Sequence, residues 1–383
     1  MTAMRHGFSK LLIIMFLTLS CILTSLTIYT YTAKNPSDAL RDFRFRGEAK
    51  AIVAVVKAER ANVYEALSDA FRLLDLDTYI KPGYKIMVKP NVVRAQAPPA
   101  TTHPETLGAL IDLLKSTGSS QIVVAEGSGE GNTLENFRIL GLLDVASNSG
   151  VEVVDLNVGE FINVTIPDGK AFQNVTLSKR LFEVDFFISL ACLKTHSDAV
   201  VTLGLKNLIG IPPSLVYGSP KGKLHEADNR LGGTYMAAPI TDLATIRPIN
   251  LTIIDGIVAM EGLGPTQGTP VNMGLIIVGK DPVATDSIAA LIMGFNPRLI
   301  PTLKMAVDRE LGVNDPAYIE VRGVSIEEVF RPFSTARTEH QRFQIMTRDE
   351  YILHESRVTF LTASAISWVI TVILVMLRVK SKV

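Results

Sequence analysis

Cysteine is scarce in this sequence, with two residues among 383. Cys21 lies in an apolar run near the N-terminus and Cys192 lies in an apolar run typical of a core strand, so we expect no disulfide between them. Because no closely spaced group of cysteines is present, we also expect no iron–sulfur cluster. The sequence leaves any other cofactor unknown.

An excess of charge of either sign is also absent. Lysine plus arginine number 38, and aspartate plus glutamate number 38, so the formal net charge at pH 7 is zero. Nucleic-acid-binding domains usually carry a clear basic excess, so we expect no nucleic-acid partner. The chain also lacks a serine nucleophile elbow and a Walker-type phosphate loop, which removes two common classes of active site.

Tight metal-ligand spacing is missing too. His103, His196 and His225 are candidate ligands with support from aspartate or glutamate, but no His-x-x-x-His or Cys-x-x-Cys pair occurs in the sequence. The pattern is therefore a weak indication of a metal site, and the identity of a metal stays unknown.

Two long uncharged apolar runs are present, at residues 11–33 and 358–377. About 20 apolar residues cross a bilayer as a helix, so we expect the lipid bilayer to be a partner, with the first run acting as a signal anchor or a long signal peptide. Basic residues near both chain ends favour cytoplasmic ends and a soluble domain on the extracytoplasmic side. The basic segment at residues 34–50 points the other way, but long domains cross largely regardless of such charges. The basic residues near the ends are Arg5, Lys10, Arg378, Lys380 and Lys382.

Apolar runs and polar segments divide the chain into a simple order. The predicted segments are an N-terminal transmembrane segment or signal anchor at 1–33, a linker at 34–50, an α/β domain at 51–335, a juxtamembrane linker at 336–357, a C-terminal transmembrane helix at 358–377 and a basic tail at 378–383.

Alternation of strand and helix patterns dominates residues 51–156. Short β-branched apolar runs at 51–57, 84–88, 121–125 and 151–156 are separated by segments with helical spacing, which predicts a mostly parallel sheet covered on both faces. The predicted fold is α/β, with two Rossmann-like lobes. A Pro-Asp-Gly turn between two β-rich runs predicts a hairpin within residues 161–184.

Residues 190–213 are the most informative stretch. An apolar strand is followed by Lys194 and His196, which point to the same face because they occupy alternate positions. Neighbouring lysine and histidine side chains lower each other's proton affinity, which suits a base, a metal ligand or an anion site. The run after residue 199 is predicted to be a helix, and Lys206 on so apolar an element needs a partner or a function. Lys194, His196 and Lys206 are therefore the predicted catalytic residues.

Similar polar clusters follow other predicted strands. The carboxyl ends of parallel strands lie at one edge of a sheet, so we expect these residues to converge on one crevice. Glycines after the third strand, including Gly127 and Gly129, suit either a phosphate cradle of backbone N–H groups or a plain turn. The long polar segment after Pro213 is predicted to be a binding loop. The predicted ligand-binding residues are Lys89, Asn91, His103, Glu126, Gly127, Gly129, Asn207, His225, Asp255, Glu261, Asp281 and Asp286.

Six motifs resemble those of an uncharacterised prokaryotic family known as domain of unknown function 362. The resemblance covers roughly residues 51–323. Many members of that family carry ferredoxin-type cysteine motifs, which this chain lacks. The motifs are Val-Lys-Pro-Asn at 88–91, Thr-His-Pro at 102–104, Ala-Glu-Gly-Ser-Gly-Glu-Gly at 125–131, the central motif at 193–210, Ile-Asp-Gly-Ile-Val-Ala-Met-Glu-Gly-Leu-Gly-Pro at 254–265 and Gly-Lys-Asp-Pro-Val-Ala-Thr-Asp at 279–286.

The order of His196, Lys206 and His225 is also distantly similar to that in the nickel-pincer lactate racemases. In those two-domain α/β enzymes the lysine anchors a pyridinium-derived nickel cofactor and histidines move the proton or hydride. The Gly-Gly that precedes the lysine there is replaced here by residues 203–205, Leu-Gly-Leu. The similarity is an analogy of fold and residue order.

Together these features predict a membrane-anchored protein of unknown specific activity. The leading hypothesis is an α/β enzyme or ligand-binding domain in which Lys89, Lys194 and Lys206 hold a small anionic ligand or cofactor and His196 handles a proton. The acidic candidates Asp255, Glu261 and Asp281 are expected to bind a cation or orient the basic groups. The alternative is a non-catalytic, membrane-tethered binding or scaffold domain.

Overall fold

A computed structural model describes residues 2–380 of the chain and the side chains of residues 11–377. The side chains of the predicted basic tail at 378–383 lie outside the described residues. The chain forms two compact units, which we call the terminal unit (Met1–Ala39 with Met346–Val383) and the central unit (Leu40–Ile345). The segment boundaries drawn from the sequence, including the domain at 51–335, stay predictions.

The strands of the described chain follow the apolar runs in the sequence. They are β1 (Ala51–Lys57), β2 (Lys85–Lys89), β3 (Gln121–Glu126), β4 (Glu152–Asp155), β5 (Phe161–Thr165), β6 (Asn174–Ser178), β7 (Phe186–His196), β8 (Val200–Thr202), β9 (Leu251–Glu261), β10 (Thr269–Gly279) and β11 (Ile319–Gly323).

The α-helices that the structure describes cover the sheet and form the two chain ends. They are α1 (Thr2–Tyr31), α2 (Pro36–Leu40), α3 (Val63–Leu73), α4 (Leu76–Tyr79), α5 (Pro104–Ser116), α6 (Thr133–Ile139), α7 (Leu142–Asn148), α8 (Ser214–Tyr217), α9 (Gly222–Arg230), α10 (Ala237–Ile246), α11 (Pro282–Ile292), α12 (Pro301–Asp308), α13 (Ile326–Val329), α14 (Arg348–Glu355) and α15 (Arg357–Lys380). Short 3-10 helices lie at Arg41–Phe43, Arg60–Asn62, Lys179–Phe182, Lys206–Gly210, Pro316–Tyr318 and Thr338–Phe343.

One continuous sheet forms the core of the central unit. Among the described residues it has nine strands in the order β11-β1-β10-β9-β7-β2-β3-β4, with β8 added beside β7. The pairs from β9 through β7, β2 and β3 to β4 are parallel, whereas β10 is antiparallel to both of its neighbours. The predicted α/β fold with a mostly parallel sheet is confirmed, and the two expected lobes are joined in this single sheet.

Strand β7 lies at the centre of the unit. Every residue from Phe186 to His196 is buried, because β2 and β9 flank the strand and helices and loops cover both faces of the sheet. Apolar side chains continue along the strand until Lys194, so its carboxyl end carries ionisable groups into the interior. The predicted hairpin at 161–184 is confirmed as the antiparallel pair β5 and β6.

Three sequence predictions differ from the structure. The run after residue 199 is strand β8, which returns antiparallel to β7, followed by a 3-10 helix at Lys206–Gly210; β-branched residues at 200–202 favour the strand. The polar segment after Pro213 contains α8 and α9 as well as loops. Asp255, expected among the polar residues that follow predicted strands, lies inside β9, which runs on to Glu261 because antiparallel pairing with β10 extends it.

Helices α1 and α15 pack together in the terminal unit through hydroxyl groups. The hydroxyls of Ser20 and Ser367 lie 2.8 Å apart, and the hydroxyls of Thr24 and Ser364 lie 3.0 Å apart. Arg357 Nε donates to the carbonyl of Thr30 at 2.7 Å, so the two helices run antiparallel. Segments Leu11–Phe43 and Arg357–Leu377 are long and apolar enough to cross a membrane by length and composition.

Candidate functional site

The carboxyl ends of β2, β3 and β7 meet at a cleft of about 830 Å³, part of which is open solvent. These three strands are parallel neighbours in the sheet, so the polar residues that end them converge as the topology predicts. The predicted site residues that line the cleft are Lys89, Asn91, Glu126, Gly127, Gly129, Lys194, His196, Lys206, Asn207 and His225.

A buried ion pair forms the floor of the cleft. Lys89 Nζ donates to Glu126 Oε2 at 2.8 Å, to Asn207 Oδ1 at 2.9 Å and to the carbonyl of Pro90 at 3.1 Å. Both charged side chains are at most 2% exposed. Burial lowers the pKa of Lys89, and Glu126 opposes that effect. Because an ammonium has three N–H groups and all three have acceptors, Lys89 has no N–H group left for a ligand.

Lys194 is buried among neutral acceptors. Its ammonium donates to Asn91 Oδ1 at 2.7 Å and to the carbonyl of Ala100 at 2.6 Å. Burial lowers the pKa of Lys194 because desolvation disfavours the charged form. Two acceptors leave one of its three N–H groups for a ligand in the cleft.

Lys206 has no such partners. Within the part of the chain that the structure describes, no acceptor lies within hydrogen-bond or ion-pair distance of its ammonium, which faces the cleft. Burial lowers the pKa of Lys206 to about 8; the carboxylate of Asp198 opposes this effect, and Lys194 and Lys89 add to it. Thr202, directly across from Lys194 in the β7–β8 pair, also lines the cleft, and its buried hydroxyl has no partner among the described atoms.

The two cleft histidines differ in their surroundings. His196 is 5% exposed, and its Nδ1 accepts the backbone N–H of Asp198 at 2.9 Å. Burial lowers the pKa of His196 well below its usual value, with a further contribution from Lys206. His225 on α9 is more exposed, and its Nδ1 lies 3.4 Å from the carboxylate of Asp198. Burial and Lys206 also lower the pKa of His225.

Three backbone N–H groups of the glycine-rich loop after β3 already have partners within the protein. The N–H of Gly127 donates to Glu126 Oε1 at 2.8 Å, that of Ser128 to the hydroxyl of Thr133 at 3.2 Å, and that of Glu130 to the carbonyl of Val93 at 2.9 Å. A Cβ atom on Gly127 would lie 2.6 Å from the carbonyl oxygen of Gly210. Glycine at 127 therefore allows close packing of two loops.

Comparison with known proteins identifies a family whose matching region contains the cleft. The family model described as Domain of unknown function (DUF362) matches residues 86–291, which is more than half of the chain and includes all residues that line the cleft. The chain belongs to this family. A curated relative, the thylakoid-associated protein sll1697 of Synechocystis sp. (strain ATCC 27184 / PCC 6803 / Kazusa), is 30% identical over 278 residues, which are 70% of this chain and 82% of that protein.

A solved structure also shows similarity. The lactate racemase apoprotein from Thermoanaerobacterium thermosaccharolyticum superposes with a TM-score of 0.42 at 15% sequence identity. The match covers 64% of this chain and 58% of the racemase chain.

Five predicted site residues of the DUF362 region lie outside the cleft lining. His103 and Asp255 form a buried pair, with His103 Nδ1 3.0 Å from Asp255 Oδ2, which also accepts the hydroxyl of Thr106 at 2.8 Å. Asp255 lies within β9 rather than at its carboxyl end, which is Glu261. This is why topology does not bring it to the cleft.

The other three acidic residues hold backbone N–H groups. Glu261 accepts the N–H of Ser334 at 2.9 Å, and Asp281 caps α11 through the N–H of Ala284 at 2.9 Å. Asp286 accepts the N–H groups of residues 204 and 205 at 2.8 and 2.9 Å. The expectation that Asp255, Glu261 and Asp281 bind a cation is not supported. Among the described residues, no group of three or more His, Cys, Asp or Glu side chains is arranged to hold a metal ion.

Three polar residues of the cleft that are not among the predicted site residues bear on its chemistry. Thr202 lies in the cleft because β8 runs back beside β7, and Asp198 lies there because of the tight turn between these two strands. Neither the strand pairing nor the turn shows as a periodic pattern in the sequence. Lys221 donates to Asn157 Oδ1 at 2.9 Å and to the carbonyl of Pro212, and burial lowers its pKa to about 8. The concentration of lysine in the polar segment after Pro213 was the signal that could have found it.

Proposed function

We propose that the cleft binds a small anionic ligand and that Lys206 is the main contact for its charge. The observation that carries the proposal is the Lys206 ammonium, which faces the cleft without an acceptor among the described residues. A partly buried cation without a partner is unfavourable, and an anionic ligand supplies the missing charge and acceptors. We include in this proposal that the chain, an α/β protein of the DUF362 family, acts as an enzyme on this ligand.

Counting donors supports an acceptor-rich ligand. Lys206 offers three N–H groups, and Lys194 and Lys221 each keep one after their protein acceptors are counted. His196 keeps the N–H on Nε2, since its Nδ1 already accepts a backbone N–H. A carboxylate or phosphate group accepts several such bonds at once.

Replacing Lys206 by methionine is the direct test. A charge-assisted hydrogen bond contributes about 1.5–3 kcal/mol, so we expect affinity for the bound anion to fall by about 10- to 150-fold. Titration calorimetry of the full chain in detergent, with inorganic phosphate, sulfate, acetate, lactate and malonate as probes, measures this loss. The control Lys206→Arg keeps the charge and should retain most of the affinity. Absence of binding by all five probes, or equal affinity of the wild type and Lys206→Met, would contradict the proposal.

The same site predicts a pH dependence of binding. Because the pKa of Lys206 is lowered to about 8, its cation is present below that pH and is lost as the pH rises through it. Affinity for the best probe should therefore fall between about pH 7 and pH 9. In Lys206→Arg, whose guanidinium stays charged over this range, the fall should be smaller, and the part that remains is expected from Lys221, whose pKa is also lowered to about 8.

We further propose that α1 and α15 anchor the protein in a membrane as an antiparallel pair. Apolar side chains along both helices are exposed, for example Leu19 at 44% and Val372 at 47%, and the hydroxyl contacts between the helices suit association in lipid. The thylakoid association of the curated relative is consistent with this proposal. The basic residues at both chain ends support an extracytoplasmic central unit.

Charged substitutions test the anchor. Lysine near the centre of a membrane helix costs about 2.5–3.5 kcal/mol, so the double variant Leu19→Lys, Val372→Lys should be released largely by alkaline carbonate while the wild type stays in the membrane pellet. Val158→Lys, at an exposed position of the central unit, is the matched control. Release of the wild type under the same treatment would exclude a transmembrane anchor.

A further inference from the structure

Asp198 contacts both cleft histidines, but through different groups. Its backbone N–H donates to His196 Nδ1 at 2.9 Å, whereas its carboxylate oxygen Oδ2 lies 3.4 Å from His225 Nδ1. The other oxygen, Oδ1, accepts a hydrogen bond from Arg337 at 2.9 Å. Asp198 therefore presents an N–H donor to His196 and a carboxylate at ion-pair distance to His225.

The hydrogen bond from the backbone N–H of Asp198 determines which nitrogen of His196 carries the proton. A backbone N–H cannot accept, so Nδ1 of His196 carries the lone pair and the neutral ring carries its proton on Nε2. Protonation of Nδ1 would place two N–H groups against each other at a buried site. Lys206, Lys194, His225 and His340 are the charged or titratable groups near this ring, and with burial they lower its pKa well below the usual value. Protonation of His196 is therefore disfavoured, because its Nδ1 is already used as an acceptor and its Nε2 carries the proton.

The contact with a carboxylate has the opposite effect on His225. Asp198 favours a proton on Nδ1 of His225, which leaves the lone pair on Nε2. Asp198 and Asp228 favour the charged ring, whereas burial and Lys206 disfavour it and lower its pKa. The side chain of His225 is 30% exposed and lines the cleft, so Nε2 is the available base.

We infer that Asp198 is a positioning residue that gives the two histidines opposite roles: His196 is a fixed hydrogen-bond donor to the bound anion, and His225 is the proton acceptor of the cleft. The inference rests on the proposed anion site. An acidic O–H or C–H group of the ligand would give its proton to Nε2 of His225 and keep the electron pair. The negative charge left on the ligand would face the N–H of His196 and the ammonium of Lys206. The role expected for His196 in the sequence analysis thereby passes to His225.

Histidine-selective ¹⁵N NMR of the full chain in detergent tests the inference without a ligand. The six histidines are assigned by single His→Gln variants, and the pH is varied over the range in which the protein stays folded. His196 should show the neutral Nε2–H tautomer throughout, and His225 should titrate. A structural role alone predicts neither tautomer.

Two variants, one of Asp198 and one of its partner Arg337, should change the proton affinity of His225 in opposite directions. Asp198→Asn removes the negative charge, so the proton affinity of His225 should fall about three- to tenfold, whereas the tautomer of His196 should not change because the backbone N–H remains. Arg337→Gln removes the cation that holds Asp198, so the proton affinity of His225 should rise. If Asp198→Asn does not fold, Arg337→Gln still tests the direction.

Three results would overturn the inference: a proton on Nδ1 of His196, titration of His196 in the folded protein, or an unchanged proton affinity of His225 in both variants. These measurements are independent of the anion titrations with Lys206→Met. Loss of anion binding with the expected histidine behaviour would refute the proposed function alone, and the reverse pattern would refute only the division of roles.

Discussion

Replacing Lys89 by methionine should lower the free energy of unfolding by about 3–5 kcal/mol, because the carboxylate of Glu126 would stay buried without its cation. Glu126 would keep the N–H groups of Val92 and Gly127, at 3.1 and 2.8 Å, but these neutral donors do not replace a full charge. The side chain of Asn207 would also lose its ammonium donor. Urea denaturation of the full chain in detergent, followed by far-ultraviolet circular dichroism, measures the loss.

A double-mutant cycle separates the contribution of the ion pair to stability from the contribution of the volume that the two side chains fill. Glu126→Gln removes the negative charge but keeps an oxygen for one of the two backbone donors, and the double variant Lys89→Met, Glu126→Gln leaves neither charge of this pair. The double variant should therefore be more stable than Lys89→Met alone by at least about 1 kcal/mol. Simple addition of the two single effects would show that the pair is not coupled.

Replacing Asp286 by alanine should destabilise the central unit by about 2–5 kcal/mol. Asp286 is 2% exposed, and both of its oxygens accept backbone N–H groups, from Gly204 and Leu205; each unsatisfied buried donor costs about 1–3 kcal/mol. The segment that these bonds hold leads directly to Lys206, so anion affinity should fall as well. Denaturant titration and calorimetry on the same preparation test both effects. Asp281→Ala, which removes a helix cap and the acceptor of the Val313 N–H, should cost about 1–3 kcal/mol and leave anion affinity unchanged.

Asp286 also predicts a pH effect on stability. Burial raises its pKa from 3.8 to about 7, so the folded state binds a proton that the unfolded state has released between these pH values. The stabilising contribution is present below about pH 4 and is lost as the pH rises through about 7. Asp286→Asn, which cannot titrate, should lack this loss, so its stability relative to the wild type should improve from pH 5 to pH 8. A constant difference across this range would show that Asp286 does not titrate near neutral pH.

The convergence of strand-end residues was predictable because it follows from order along the chain. Apolar runs end at Lys89, Glu126 and Lys194, and parallel neighbours place such ends side by side. Asp255 shows where this reasoning fails: the apolar run continues beyond it, and β9 continues with it. A polar residue inside a longer strand gives the same local pattern as a polar residue at a strand end, and only pairing with β10 decides between them.

The roles within the cleft depend on contacts that periodicity does not encode. The sequence indicated that Lys194 and His196 lower each other's proton affinity, and the lowered pKa of His196 has the same direction. Which nitrogen of His196 carries the proton is decided by a backbone N–H two residues later, through a tight turn. All three N–H groups of Lys89 have acceptors, whereas the ammonium of Lys206 has no acceptor among the described residues. This difference also depends on which residues are neighbours in three dimensions.

The hydroxyl contacts between α1 and α15 join the beginning of the chain to its end. Cleavage of one connecting segment, for example within residues 34–50, would leave the two fragments held together by these helices. A protease digest would then show two bands under denaturing conditions and one particle in native gels. Because the helices run antiparallel, labels attached to the two chain ends would also emerge at the same end of the pair.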